Sequence, residues 1–291
     1  MEDYNFLIER ILFQALGLDL TVERVEMQGG GCINMSVKAV TSKGNFFVKW
    51  NELEFEDMFA KEAKGLAVLR GSNTLKIPEV LGIGQVEEKA FMVQEFLAQR
   101  PATSQDQTVL GEQLAAMHRM EGEEYGFHQS NFIGKLHQNN EPKSYWLTFF
   151  IQNRLNVQLG LAIYQEEVDQ AFVNQMKQFL AKLKNMLPES PPSLVHGDLW
   201  NGNVMFTEEG PAIFDPAVYY GAREMDLAMT RLFGGFDAKF YEAYEANYPL
   251  PPHFDELVDV YNLYPLMVHV NLFGAHAGYL GKVKRIIKRY L

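Results

Sequence analysis

Two acids and one amide in this 291-residue chain have the types and spacing to do chemistry together. Asp198 sits in His196-Gly197-Asp198-Leu199-Trp200-Asn201-Gly202-Asn203, between the apolar runs Leu194-Val195 and Val204-Met205-Phe206, and Asp215 closes a further run, Ile213-Phe214. A carboxylate beside a hydroxyl can accept its proton as attack begins. An amide oxygen and a second carboxylate are hard ligands suited to magnesium. This set suits phosphoryl transfer from a nucleotide, with Asp198 as base and Asn203 and Asp215 as metal ligands. Any one of the three is more simply a backbone cap in a polar turn. In this order, at the ends of strand-like runs, they read as a site.

The spacing D-x-x-x-x-N from Asp198 to Asn203 is that of the kinase catalytic loop, with Gly197 where the protein kinases carry arginine. His196-Gly197-Asp198 resembles the small-molecule branch of that superfamily, the aminoglycoside and choline kinase-like phosphotransferases. The resemblance implies an α+β, two-lobed protein kinase-like fold: a small lobe with an antiparallel sheet over residues 1–97 and a mainly helical lobe over 98–291.

A phosphate-transfer site needs elements that grip the nucleotide. Strand-like Val22 to Met27, the break at Gly29-Gly30-Gly31-Cys32, and a second strand from Met35 to Val40 form a layout in which backbone amides can approach phosphates. By itself this is also an ordinary hairpin, and three adjacent glycines differ from the spaced G-x-G-x-x-G of protein kinases. The strand Asn45 to Trp50 carries Lys49 after three apolar residues, like the lysine strand that holds the α- and β-phosphates. Its counter-ion is expected on the helix that follows, over 57–69, with Glu62 the first choice and Glu56 the alternate. Strands at Ile77-Leu81 and Ala90-Val93 complete the sheet, and Gln94-Glu95-Phe96-Leu97 is the expected hinge toward an adenine edge.

Further along, Leu114-Ala115-Ala116-Met117-His118 resembles a helix of the small-molecule kinases, and no chemical role is given to His118. Tyr125-Gly126-Phe127-His128, Asn131-Phe132-Ile133-Gly134 and the run from Trp146 through Phe149-Phe150 to Arg154-Leu155 narrow the likeness. With the His196–Asn203 loop they resemble fructosamine kinases, also called ketosamine 3-kinases, over essentially the whole chain. That resemblance implies ATP and Mg2+ as cofactors and a sugar held on an amine as acceptor, phosphorylated at a hydroxyl such as O3 in a deglycation repair. An aminoglycoside, choline or another amino alcohol is the alternative acceptor, and a nucleotide-binding regulator without catalysis is the third reading. Trp200, two residues after the base, could cover the C–H face of a sugar, although most tryptophans are simply core. His196 and Asp226 are expected to support the loop from behind, Asp226 from a helix start near Glu224. The short stretch from Asp215 to that helix leaves no room for a protein kinase activation segment.

With 26 basic and 37 acidic residues the chain has a formal charge of −11, which argues against nucleic acid or an anionic membrane as partner. No apolar run is long enough to span a bilayer, and no basic, apolar leader opens the chain. The lone cysteine, Cys32, allows no internal disulfide and fits a reducing cytoplasm. A monomer or homodimer is expected. The basic C-terminal helix, with Val283, Ile286 and Ile287 on one face, is expected to pack that face on the second lobe.

Overall fold

The computed structural model describes residues 4–29 and 33–291, so Gly30, Gly31 and Cys32 of the glycine turn lie outside the described residues. The chain divides into two compact units, one made of Met1–Asp106 with Gly202–Pro216, the other of Gln107–Asn201 with Ala217–Leu291.

The first unit begins with α1 (Asn5–Leu16), β1 (Val22–Met27), β2 (Met35–Thr41), β3 (Gly44–Glu52), α2 (Glu56–Gly71), β4 (Val80–Val86) and β5 (Lys89–Glu95). The strands form one antiparallel sheet in the order β1-β2-β3-β5-β4. Period-two alternation buries Val37, Ala39, Val48, Trp50, Phe91 and Val93, and α1 covers them with Ile8, Ile11 and Leu12. β4 starts three residues later than the apolar run Ile77-Leu81 suggests. Pro78 has no N–H to give a ladder, and the strand continues instead through Gly82 and Gly84. Glycine there is a packing requirement: a Cβ on Gly82 would lie 2.7 Å from the Cβ of Ala15 on α1.

The second unit contains α3 (Ser104–His118) from Gln107 onward, the hairpin β6 (Asn131–Ile133) and β7 (Leu136–Gln138), and α4 (Trp146–Phe149). One π-helical turn, Phe150–Leu155, leads into α5 (Asn156–Tyr164) and α6 (Gln170–Leu183). The spacing of Val168, Phe172, Met176, Phe179, Leu183 and Leu187 predicts a helix over 166–187, and α6 is shorter. The Asp169 carboxylate caps it by accepting the Phe172 N–H at 2.7 Å, and Glu166 lies outside in a left-handed conformation. β8 (Ser193–Val195) ends at the His196 loop, and β9 (Val204–Thr207) and β10 (Gly210–Ile213) form a hairpin belonging to the first unit. β11 (Tyr219–Gly221) pairs antiparallel with β8. The remaining elements are α7 (Glu224–Phe233), α8 (Ala238–Asn247), α9 (Phe254–Tyr261), α10 (Leu263–Phe273) and α11 (Tyr279–Tyr290).

A division at residue 97 is therefore not the one these units follow. Arg100 donates its N–H to the Phe206 carbonyl at 2.8 Å, and Ile213 N–H reaches the Lys76 carbonyl at 3.1 Å, which ties residues 98–106 and the β9–β10 hairpin to the sheet unit. On α11, Leu280, Val283, Ile286 and Ile287 are buried in the second unit while the lysines and arginines stay in water. Among the described residues no helix is long and apolar enough to cross a membrane.

Candidate active site

In the first unit, Lys49 on β3 is almost completely buried, and an ammonium in that position needs compensation. Its Nζ donates to Glu62 Oε1 on α2 at 2.8 Å and to the Asp215 carboxylate at the end of β10. Glu62, the first-choice counter-ion, is thus the partner. Burial alone would lower the lysine pKa, but Asp215 and Glu62 outweigh it and hold the ammonium above the usual lysine range. Burial pushes the Glu62 carboxyl up, with Lys49 opposing and Asp215 adding to the rise. One cation between two carboxylates leaves a net negative charge, at an Asp215 side chain that is still about one-third exposed.

Asn203 joins this group through the backbone. It ends a short 3₁₀ turn, is 5% exposed, accepts the Phe214 N–H on its carbonyl at 3.1 Å, and donates its side-chain Nδ2 to the Asp215 carbonyl at 3.5 Å. Asp215 adopts φ +56, a left-handed conformation that aspartate tolerates better than most residues. The two proposed ligands therefore stand side by side. Among the described residues no cluster of three His, Cys, Asp or Glu side chains could cage an ion. One carboxylate with one amide fits magnesium, which keeps waters and leans on nucleotide phosphates for its remaining ligands.

The expected hinge is only partly loop. Gln94 and Glu95 belong to β5, opposite Phe47 and Phe46, and the Glu95 N–H is spent on the Glu79 carbonyl at 2.8 Å. Glu95 therefore cannot offer that N–H to an adenine edge. Its carboxylate binds Lys76 at 2.8 Å, and the Phe96 ring lies 5.0 Å from Lys38 Nζ. Gly29 is exposed, with nothing within 4 Å of where a Cβ would stand, so its described neighbours do not themselves demand glycine.

In the second unit, the loop bearing Asp198 is held from behind. The Asp226 carboxylate on α7, 1% exposed, accepts the His196 N–H at 2.7 Å and the Gly197 N–H at 2.9 Å, and lies 3.2 Å from His118 Nε2. His118, on its other side, meets the Tyr244 hydroxyl at 2.8 Å. The His196 imidazole accepts the Asp198 N–H at Nδ1, 3.3 Å away. Gly197 is glycine for two reasons: its φ is +82, and a Cβ would stand 2.1 Å from the Ala217 carbonyl oxygen. That contact leaves no space for the arginine of the protein kinase loop.

Asp198 and Gly197 line a pocket with Ile133, Met225, Tyr264 and His269. The His269 Nδ1–H donates to the Pro265 carbonyl at 2.7 Å, which leaves Nε2 as the acceptor nitrogen, and burial lowers the pKa of the ring. Trp200 does not line this pocket; it meets Phe233 edge-on at 5.9 Å between centroids, and Phe233 in turn lies 5.3 Å from His269. Lys49, Glu62, Asn203 and Asp215 are thus brought together in one unit, and His196, Asp198 and Asp226 in the other. Sequence reasoning missed Tyr264, His269 and the second bond of His118. α10 is apolar on nearly every face, so nothing in its pattern singles out two pocket residues.

The fructosamine kinase family model matches residues 6–291. A probable ketoamine kinase of Vibrio parahaemolyticus is 40% identical over 275 residues, covering 92% of each chain. A crystal structure assigned as a fructosamine-3-kinase, from Haemophilus somnus 129PT, superposes with a TM-score of 0.87 at 27% identity, over 99% of this chain and all of that one. The aminoglycoside phosphotransferase APH(4)-Ia, at 18% identity and a TM-score of 0.62 over 97% of this chain and 98% of its own, shares the kinase-like fold. With its mixed sheet-and-helix architecture, its Lys49–Glu62 pair and its His196–Asn203 loop, the chain belongs to the fructosamine kinase family and is an ATP-dependent kinase.

Proposed function

We propose that the protein transfers the γ-phosphate of ATP to a sugar hydroxyl of a ketosamine, a fructosamine or ribulosamine, with Asp198 as the base. The observation that carries this reading is Asp198 in the wall of a pocket with Tyr264 and His269, on a loop whose backbone N–H groups are fixed by Asp226. The family match and the ketoamine kinase relatives support the acceptor.

In this mechanism Lys49 binds the α- and β-phosphates, and Glu62 keeps its ammonium aimed. Asp215 and Asn203 would hold magnesium through carboxylate and amide oxygens; bound there, the ion would neutralise charge on the phosphate oxygens. Asp198 orients the acceptor hydroxyl and takes its proton, an effect worth roughly 10²–10⁴-fold in rate. Trp200 would cover the C–H face of the sugar from beyond the pocket wall, where its indole packs on Phe233, itself a neighbour of His269. Phosphorylation beside the ketone, at O3, would make a less stable ketosamine, which fits a repair role in the cytoplasm.

The test is a coupled ADP-release assay with fructosyl-lysine, ribulosyl-lysine, an aminoglycoside and choline, with the phosphorylated position read by NMR. Turnover of the ketosamines alone, at O3, is expected. Preference for the aminoglycoside or choline would overturn the acceptor, and no magnesium-dependent turnover with any of them would overturn the enzyme reading.

A further inference from the structure

The β6–β7 hairpin and the π-helical turn carry polar side chains that the reaction above does not use. Asn131, Gln138, Asn140 and Arg154 are all 5% exposed or less. A buried amide left without partners costs about 1–3 kcal/mol. Here they satisfy one another in a connected chain. Arg154 Nη2 donates to Asn140 Oδ1 at 2.8 Å, Asn140 Nδ2 donates to Asn131 Oδ1 at 2.9 Å, and Asn131 Nδ2 donates to the Val218 carbonyl at 2.9 Å. Gln138 Nε2 donates both to Asn131 Oδ1 at 2.8 Å and to the Ala217 carbonyl at 3.0 Å, and Gln138 Oε1 accepts the Tyr264 hydroxyl at 2.6 Å.

The direction of every bond follows from one end. A guanidinium only donates, so Asn140 must turn its oxygen to Arg154 and its nitrogen to Asn131. Asn131 must then present oxygen to Asn140 and to Gln138, which forces Gln138 to use its nitrogen there and leaves its oxygen for Tyr264. Arg154 itself donates Nη1 to the carbonyls of Asn139, at 2.5 Å, and Asn153, at 3.2 Å, and lies over the faces of Tyr219 and Phe149 at 4.1 and 4.5 Å.

Two ends of this chain reach the site. Tyr264 lines the pocket with Asp198, and Ala217 packs its carbonyl against Gly197 while giving its N–H to the His196 carbonyl at 2.9 Å. We infer that Gln138 is a positioning residue for the phosphoryl transfer, joining the acceptor wall at Tyr264 to the peptide that seats the Asp198 loop, with Arg154 setting the polarity of the amides. This rests on the reading of the pocket as the acceptor site. Misplacement by about 1 Å at such a site can reduce rate by roughly 100-fold.

The experiment measures kcat and KM for fructosyl-lysine, ATP affinity and thermal midpoint for wild type, Gln138→Leu, Tyr264→Phe and the double variant. Tyr264→Phe keeps the ring and loses only the hydroxyl, so it carries the test even where Gln138→Leu does not fold. Expected are a kcat reduced about 10-fold or more in Gln138→Leu and by a smaller factor in Tyr264→Phe, ATP affinity within about two-fold of wild type, and a double variant no worse than Gln138→Leu alone. Turnover per folded molecule unchanged in Tyr264→Phe, or multiplying losses in the double variant, would overturn the inference while leaving the acceptor reading intact. A wild-type protein inactive on every ketosamine would overturn both.

Discussion

Lys49 and Glu62 form a buried ion pair, Nζ to Oε1 at 2.8 Å, between a strand and a helix that are separated by a single short turn in the chain. Breaking a buried pair by removing one partner leaves the other charge uncompensated, at a cost on the order of 3 kcal/mol. Lys49→Met should therefore lower stability in denaturant titration and weaken ATP binding in calorimetry. Adding Glu62→Gln should return much of the stability and none of the ATP affinity. If the double variant also recovered ATP binding, Lys49 would have no part in holding phosphate.

Asp198→Asn keeps the size and shape of the side chain and removes the base. It should fold as wild type, bind ATP with affinity within a factor of about two, and lose roughly 10²–10⁴-fold in kcat. Turnover near the wild-type value in the purified variant would take Asp198 out of the base role.

Gly197→Ala tests the shape of the loop rather than its charges. The new methyl would meet the Ala217 carbonyl at 2.1 Å, in a backbone conformation that L side chains rarely adopt. A loss of about 2–4 kcal/mol in stability is expected, together with a fall in turnover beyond that of a surface glycine such as Gly160, where a Cβ has open space. Equal midpoints for Gly197→Ala and Gly160→Ala would refute the close approach.

His269 predicts a pH dependence. Burial lowers its pKa in the folded state, so between that value and the ordinary histidine value near 6.5 the unfolded chain binds the extra proton. Its contribution to stability is then complete above about pH 6.5 and fades as pH falls toward the folded-state pKa, with a slope of at most about 1.4 kcal/mol per pH unit. Urea titrations between pH 5 and 8 should show a shallower acid-side decline in His269→Gln than in wild type. Parallel declines would assign the acid sensitivity to other groups.

The legible parts of this chain were those in which type and period agree. The apolar alternation around Lys49, the helical pattern over Glu62 and the strand ends at Asn203 and Asp215 each follow from one local rule, and these four groups meet within the sheet unit. β4 was misplaced because glycine reads as a break, and the contact of Gly82 with Ala15 is a tertiary fact that no window of sequence carries. Tyr264 and His269 were hidden in α10, where burial on nearly all faces erases the periodicity that marks a functional side. Asn131 and Arg154 were visible only as parts of a resemblance, and Gln138 and Asn140 by no local pattern; their chemistry depends on partners up to 126 residues away.

The sheet unit is discontinuous: it needs the β9–β10 hairpin, which brings Asn203 and Asp215 to Lys49. A fragment stopped after β5 would present its lysine and glutamate with neither proposed metal ligand. During synthesis the Lys49–Asp215 contact can form only once residue 215 has emerged, more than a hundred residues after β5 ends at Glu95.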